Sequence, residues 1–137
     1  MDEQAVAERA ARNEELLRAG YESFSKGDMI ALEALFDADV VWHAQRLGIL
    51  GGDHRGWAEV LRFFARSMEL TQGTFGIEVR EVLSSPAGAA AVVRSRGRRG
   101  GATLDSSQIH LFHIRNERVV EVWQFIGDGP AAEALWS

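Results

Sequence analysis

The stretch from Ala89 to Ile114 reads AAAVVRSRGRRGGATLDSSQIHLFHI, and its reading decides the fold. Two β-branched, alternating segments flank Gly100-Gly101, the composition of a two-residue hairpin turn. Counting outward from that turn pairs Arg99 with Ala102, Arg98 with Thr103, Arg96 with Asp105 and Arg94 with Ser107. It also pairs Val93 with Gln108 and Ala91 with His110. Directly opposed residues share a face. The arginines and Asp105 therefore fall on one side, with Arg96 and Asp105 as an opposite-charge pair. Ala91, Val93, Ser95, Leu104, Ser106, Gln108, His110 and Phe112 fall on the other. Alternation makes the arginine run a solvated or subunit-facing side of a sheet rather than a phosphate patch. Gln108 and His110, by contrast, point into an apolar face, where an unpartnered polar group costs roughly 1–3 kcal/mol.

Working outward, Val119 to Ile126 reads as the last strand after a turn at Asn116-Glu117. Period two puts Val120, Val122, Gln124 and Ile126 on its inner face, and Val119, Glu121 and Trp123 outside. Gln124 thus joins Gln108 and His110 inside. Upstream, Phe75, Ile77 and Val79 alternate with Gly76, Glu78 and Arg80 in a half-buried strand, and Ser84 to Gly88 turns the chain. Before that the period is helical. Ala5–Phe24 carries Ala10, Leu17, Tyr21 and Phe24 on one stripe, and Gly27 ends it. Asp28 caps a short helix, Met29 to Phe36. Val40-Val41-Trp42-His43 is a first strand, Gly48 to Gly56 a loop, and Trp57 to Met68 a third helix. Pro130 to Trp136 forms one helical turn that brings Trp136 back onto the body. The order α-α-β-α-β-β-β-β, helices first and then an antiparallel meander, predicts an α+β class.

Composition narrows the chemistry. At 137 residues the chain fits a single domain, residues 1–137, able to bury roughly two-thirds of its unfolded surface without a metal or disulfide staple. The absence of cysteine excludes disulfides, thiolate catalysis and cysteine-type metal sites. Fifteen basic against twenty acidic residues give a net charge of −5, which argues against a nucleic-acid partner. Lys26 is the only lysine. No apolar run approaches the ~20 residues that span a bilayer. The first ten residues are acidic and polar, so a cytoplasmic location without membrane association is expected. His43 and Trp42 alternate, and strand parity points Trp42 inward. His54 lies in the glycine-rich loop before Gly56. Four histidines without a carboxylate partner at ligand spacing predict no metal site.

Several short motifs in this order resemble the SnoaL-like, ketosteroid-isomerase-like branch of the nuclear transport factor 2 superfamily. They are Tyr21-x-x-Phe24-x-x-Gly27-Asp28, Asp39-Val40-Val41-Trp42, Gly52-x-x-x-Gly56, Arg99-Gly100-Gly101, the run His110 to Asn116, and Val119-x-Glu121-x-Trp123. The resemblance covers Leu17 to Trp136 and implies an NTF2-like cone around a deep apolar pocket. It further implies cofactor-free isomerase or polyketide-cyclase-like activity, or non-catalytic binding on the same fold. Dimers through the outer sheet face are a habit of the family, so a homodimer is expected. The general base of ketosteroid isomerases corresponds to Ala44, and their oxyanion-hole tyrosine to Gly20 or Tyr21. Their protonated aspartate corresponds to Gln108. The Gln-x-His pair of SnoaL-type cyclases matches Gln108-x-His110, with Gln124 where those enzymes carry an aspartate. The candidate catalytic set is therefore His110, Gln108 and Gln124. Tyr21, Trp42, His54, Phe64, Phe112, Val122 and Ile126 are the candidate contacts to a small hydrophobic, oxygenated molecule, with neither metal nor cofactor expected.

Overall fold

The computed structural model describes residues 2–137. Helix α1, Glu3–Lys26, starts where the Asp2 carboxylate accepts a hydrogen bond from the Ala5 amide. It ends at Gly27, whose φ of 71° is the left-handed cap that glycine adopts without strain. Asp28 caps α2, Met29–Leu35, in the same way. Strand β1, Phe36–Ala44, follows directly, then β2, Gly52–Arg55, and α3, Trp57–Leu70. Strands β3, Gly76–Ser85, β4, Gly88–Arg99, β5, Ala102–Arg115, and β6, Arg118–Ile126, complete one six-stranded sheet. Helix α4, Gly129–Leu135, closes the chain. The fold is α+β, as the change of period predicts.

The strand order is β2-β1-β6-β5-β4-β3; β1 and β6 run parallel and every other pair is antiparallel. The β4–β5 register is the one counted from Gly100-Gly101, from Arg99 opposite Ala102 to Ala91 opposite His110. Asp105, however, is held most closely by the diagonal Arg94, at 2.6 Å from Nη2, and Arg96 stands off at 3.6 Å. Long side chains on a sheet reach diagonal neighbours as readily as opposed ones.

Beyond shifts of a few residues at element ends, three features depart from the sequence reading. Residues 52–55, expected in a loop, form an edge strand: Gly-Asp-His-Arg has no β-forming side chain, and only pairing with β1 reveals it. Phe36 leaves α2 and opens β1, where its ring stacks on Trp57 at 5.2 Å. An irregularity between His113 and Ile114 leaves Val120 of β6 without an opposed residue, so parity changes there. Val119, expected outside, is fully buried opposite Ile114, while Val120 is only partly covered.

One core packs α1, α2 and α3 against the concave sheet face through Leu17, Leu32, Phe36, Val60, Phe64 and Val122. A second, around α4, gathers Leu50, Leu104, Ala132, Leu135 and Trp136. Trp136 packs edge-on against Phe75 at 5.7 Å, as its expected return onto the body requires. No helix among the described residues is long and apolar enough to cross a membrane.

Candidate functional site

Between the two cores lies a cavity whose polar side chains come from two directions. Strands β5 and β6 supply Gln108, His110 and Gln124, because His110 sits opposite Gln124 and Gln108 opposite Ile126 on the concave face. Helix α1 supplies Tyr21, one turn beyond the buried Leu17 on the same stripe. Trp42 of β1, Phe64 of α3, Phe112 of β5 and Ile126 of β6 contribute walls. The cavity volume is about 80 Å³, several times the roughly 10–15 Å³ that one water molecule needs on the same measure. The space therefore suits a compact ligand rather than a single solvent molecule. Tyr21, Gln45, Ser67, Gln108, His110 and Gln124 are the polar lining residues, and no Asp, Glu, Lys or Arg is among the lining residues.

The polar groups form a chain. Tyr21 Oη lies 2.7 Å from His110 Nδ1, and His110 Nε2 lies 3.1 Å from Gln108 Oε1. Gln124 Nε2 donates to the same Gln108 oxygen at 3.0 Å, and the Trp42 indole N–H donates to Gln124 Oε1 at 3.2 Å. Aromatic packing holds the imidazole: it lies parallel to the Tyr21 ring and edge-on to Trp42 and Phe112. Burial strips His110 of solvent and lowers its pKa from 6.5 to about 4, with no carboxylate to counter the effect. Burial likewise raises the Tyr21 phenol well above its usual value of 10. Both groups are neutral at pH 7, and together they form a proton-carrying pair at the cavity wall.

Two candidate contacts stand elsewhere. Val122 is fully buried between Trp42 and Phe112 in the sheet register, behind the wall rather than in it. The His54 side chain is outside the lining: its ring stacks on Phe63 at 4.3 Å, and Nε2 meets the Leu50 carbonyl at 2.9 Å. Pairing opposite Trp42 puts it on the concave side, but the stacked Phe63 ring of α3 covers it and lines the cavity in its place. Gln45, Leu47, Leu50 and Trp136 complete the cavity's lining but carry no periodic signal in the sequence, because a loop and the C-terminal segment bring them there. Gln45 also accepts a hydrogen bond from the Ile126 amide, tying the loop to β6.

On the convex face His43 has the carboxylate partners that sequence spacing did not indicate. Its Nδ1 is 2.8 Å from Asp53 and its Nε2 2.6 Å from Glu121, residues that β2 and β6 bring to either side of β1. Partial burial lowers the His43 pKa, but the hydrogen bonds to Glu121 and Asp53 outweigh it, so the net shift is upward. The two carboxylates engage opposite ring nitrogens and do not converge. Among the described residues no group of His, Asp and Glu is arranged to hold a metal ion. Trp123 lies on this outer face, where period two places it, half-buried by stacking on His43 and edge-on to His113.

A family model for the SnoaL-like domain matches residues 17–122. The chain belongs to the SnoaL-like family. Within it, the uncharacterised protein Rv0034 of Mycobacterium tuberculosis is 28% identical over 124 residues, covering 90% of this chain and 95% of the relative. Bal32a, from a soil-derived mobile gene cassette, superposes with a TM-score of 0.91 at 33% identity, covering 94% of this chain and 99% of its own. IdmH of Streptomyces antibioticus, provisionally assigned as a polyketide cyclase, shares the fold at 19% identity. Its TM-score is 0.73, over 90% of this chain and 96% of its own. Family and fold thus agree: a SnoaL-like domain on an NTF2-like fold.

Proposed function

We propose that this SnoaL-like protein is a cofactor-free acid–base catalyst. It would move a proton next to a carbonyl in a small, uncharged, hydrophobic molecule, as isomerisation or cyclisation requires. The observation that carries this reading is the Tyr21–His110 contact of 2.7 Å inside a cavity without charged walls. Beside it, the Gln108 amide nitrogen has no hydrogen-bond partner among the described residues and is not sealed from the cavity.

The chemistry follows from those groups. The Gln108 N–H donates to the ligand carbonyl oxygen. Tyr21 Oη takes the proton from the neighbouring carbon while its own proton passes to His110 Nδ1. The products of that step are an enolate at Gln108, a neutral phenol and an imidazolium. Returning the proton to a different carbon completes an isomerisation; attack of the enolate carbon on a second carbonyl closes a ring, and the alkoxide so formed takes the proton back from the imidazolium through Tyr21. Burial makes the imidazolium on the order of 3 kcal/mol harder to form than in water, since one pKa unit is worth about 1.36 kcal/mol. The enolate supplies the counter-charge that offsets this cost. A preorganised donor in a water-excluded site acts most strongly on charge that develops only during reaction.

A second reading, a non-catalytic binding module, is favoured by the absence of any carboxylate base from the lining. The two separate in one assay. Uncharged ketones recovered with the purified protein are incubated with it in D2O, and mass spectrometry follows deuterium entering the carbon beside the carbonyl. Catalysed entry is expected; tight binding with entry at the uncatalysed rate would establish the binding module. The same proposal includes a homodimer across the convex face, where the cross-strand neighbours Ile109 and Phe125 are 44% and 50% exposed.

A further inference from the structure

Every hydrogen bond of the chain from Tyr21 through His110 and Gln108 to Gln124 could run in either direction, because amides, hydroxyls and neutral imidazole each both donate and accept. The indole of Trp42, at the end of that chain, only donates. Its N–H therefore requires an oxygen at 3.2 Å, and that fixes Gln124 with Oε1 towards Trp42 and Nε2 towards Gln108. The atom of Gln108 that meets Gln124 Nε2 must then be its oxygen. The same oxygen faces His110 Nε2, so that nitrogen must carry a proton. Neutral imidazole holds one N–H only, which leaves Nδ1 as an acceptor for the Tyr21 hydroxyl. With its oxygen occupied twice, Gln108 has nothing left for the cavity but its N–H donors.

We propose that Trp42 is a positioning residue. Its indole N–H sets the direction of the whole chain, holds His110 as the Nε2–H tautomer, and turns the Gln108 amide donor towards the ligand. The inference rests on the proposed use of this cavity and deepens it. The group that meets Gln108 is a lone-pair oxygen such as a ketone carbonyl, whereas a ligand N–H at that point would face another donor. Without the indole the reversed chain becomes available. Gln124 and Gln108 would both turn over, His110 would carry its proton on Nδ1, and the cavity would meet the Gln108 oxygen.

The test reads the tautomer rather than turnover. Two-bond 1H–15N correlation spectra of the histidine rings are recorded near pH 7 for wild type, Trp42→Phe and Gln124→Met. Wild-type His110 is expected to show a protonated Nε2 and an unprotonated Nδ1. In Trp42→Phe the second tautomer is expected to rise from under roughly a tenth to a population comparable with the first, because the donor–donor conflict that excludes it is gone. Gln124→Met keeps the indole and its aromatic packing but breaks the chain one step later, so it gives the same result should Trp42→Phe fail to fold. A wild-type Nδ1–H tautomer would overturn the assignment, as would a pure Nε2–H tautomer retained in every variant that folds. These outcomes are separate from those of the deuterium assay. A correct tautomer without catalysed exchange removes the catalytic reading and leaves the role of Trp42 standing.

Discussion

Replacing His110 with phenylalanine is expected to slow deuterium entry into a bound ketone by roughly 10²–10⁴-fold, the usual worth of a positioned acid–base group. Phenylalanine keeps a ring on the floor of the cavity, between Tyr21 and Phe112, but has no nitrogen to receive the Tyr21 proton. Gln108 keeps its bond to Gln124, so the carbonyl-binding donor remains in place. The loss should therefore fall on turnover with little change in affinity, the pattern of an interaction made in the transition state. Tyr21 is left with a buried hydroxyl and no acceptor, so a moderate loss of stability accompanies the variant. Unchanged turnover in His110→Phe would place the chemistry elsewhere.

The second large effect is on stability. Unfolded, His110 protonates near pH 6.5; folded, burial holds its pKa to about 4. Above pH 6.5 it is neutral in both states and contributes no pH dependence. As pH falls from about 6.5 to about 4 the unfolded chain binds a proton that the folded chain refuses, and stability declines. The slope approaches about 1.4 kcal/mol per pH unit and the total is on the order of 3 kcal/mol. Chemical denaturation at pH 7.5, 5.5 and 4.5 measures this, and the difference between wild type and His110→Phe isolates it from the acidic side chains. Equal pH slopes in the two proteins would contradict a buried neutral imidazole. His43 works in the opposite sense. Its raised pKa stabilises the folded chain below the unfolded value, and that contribution is lost as pH rises through the folded one. The two histidines thus bound the range of greatest stability from opposite sides.

Both effects trace to a register legible in the sequence. The Gly100-Gly101 turn and period two were enough to pair Ala91 with His110 and to put Gln108, His110 and Gln124 on one face. Tyr21 was legible as part of the α1 stripe with Leu17. What could not be read has a physical reason in each case. Gly52-Asp53-His54-Arg55 has no strand propensity of its own, so β2, and with it the place of His54 beneath the Phe63 ring, depends on backbone pairing with β1. A single unopposed residue in β6 inverted the expected facing of Val119, because side-chain parity changes with every inserted residue. The two carboxylates of His43 come from strands far away in sequence, and parallel pairing of β1 with β6 places Glu121 beside it. The direction of the hydrogen-bond chain needed the distance between Trp42 and Gln124, on strands distant in the chain.

The central claim is that a ligand carbonyl meets Gln108 beside the Tyr21–His110 pair. A crystal structure with the ketone that accompanies the purified protein tests it most directly. The expected result is electron density inside the cavity with the carbonyl oxygen about 2.7–3.2 Å from Gln108 Nε2, and the adjoining carbon facing Tyr21 Oη. Density for the ligand with its carbonyl turned away from Gln108, or on the convex face beside Trp123, would contradict it.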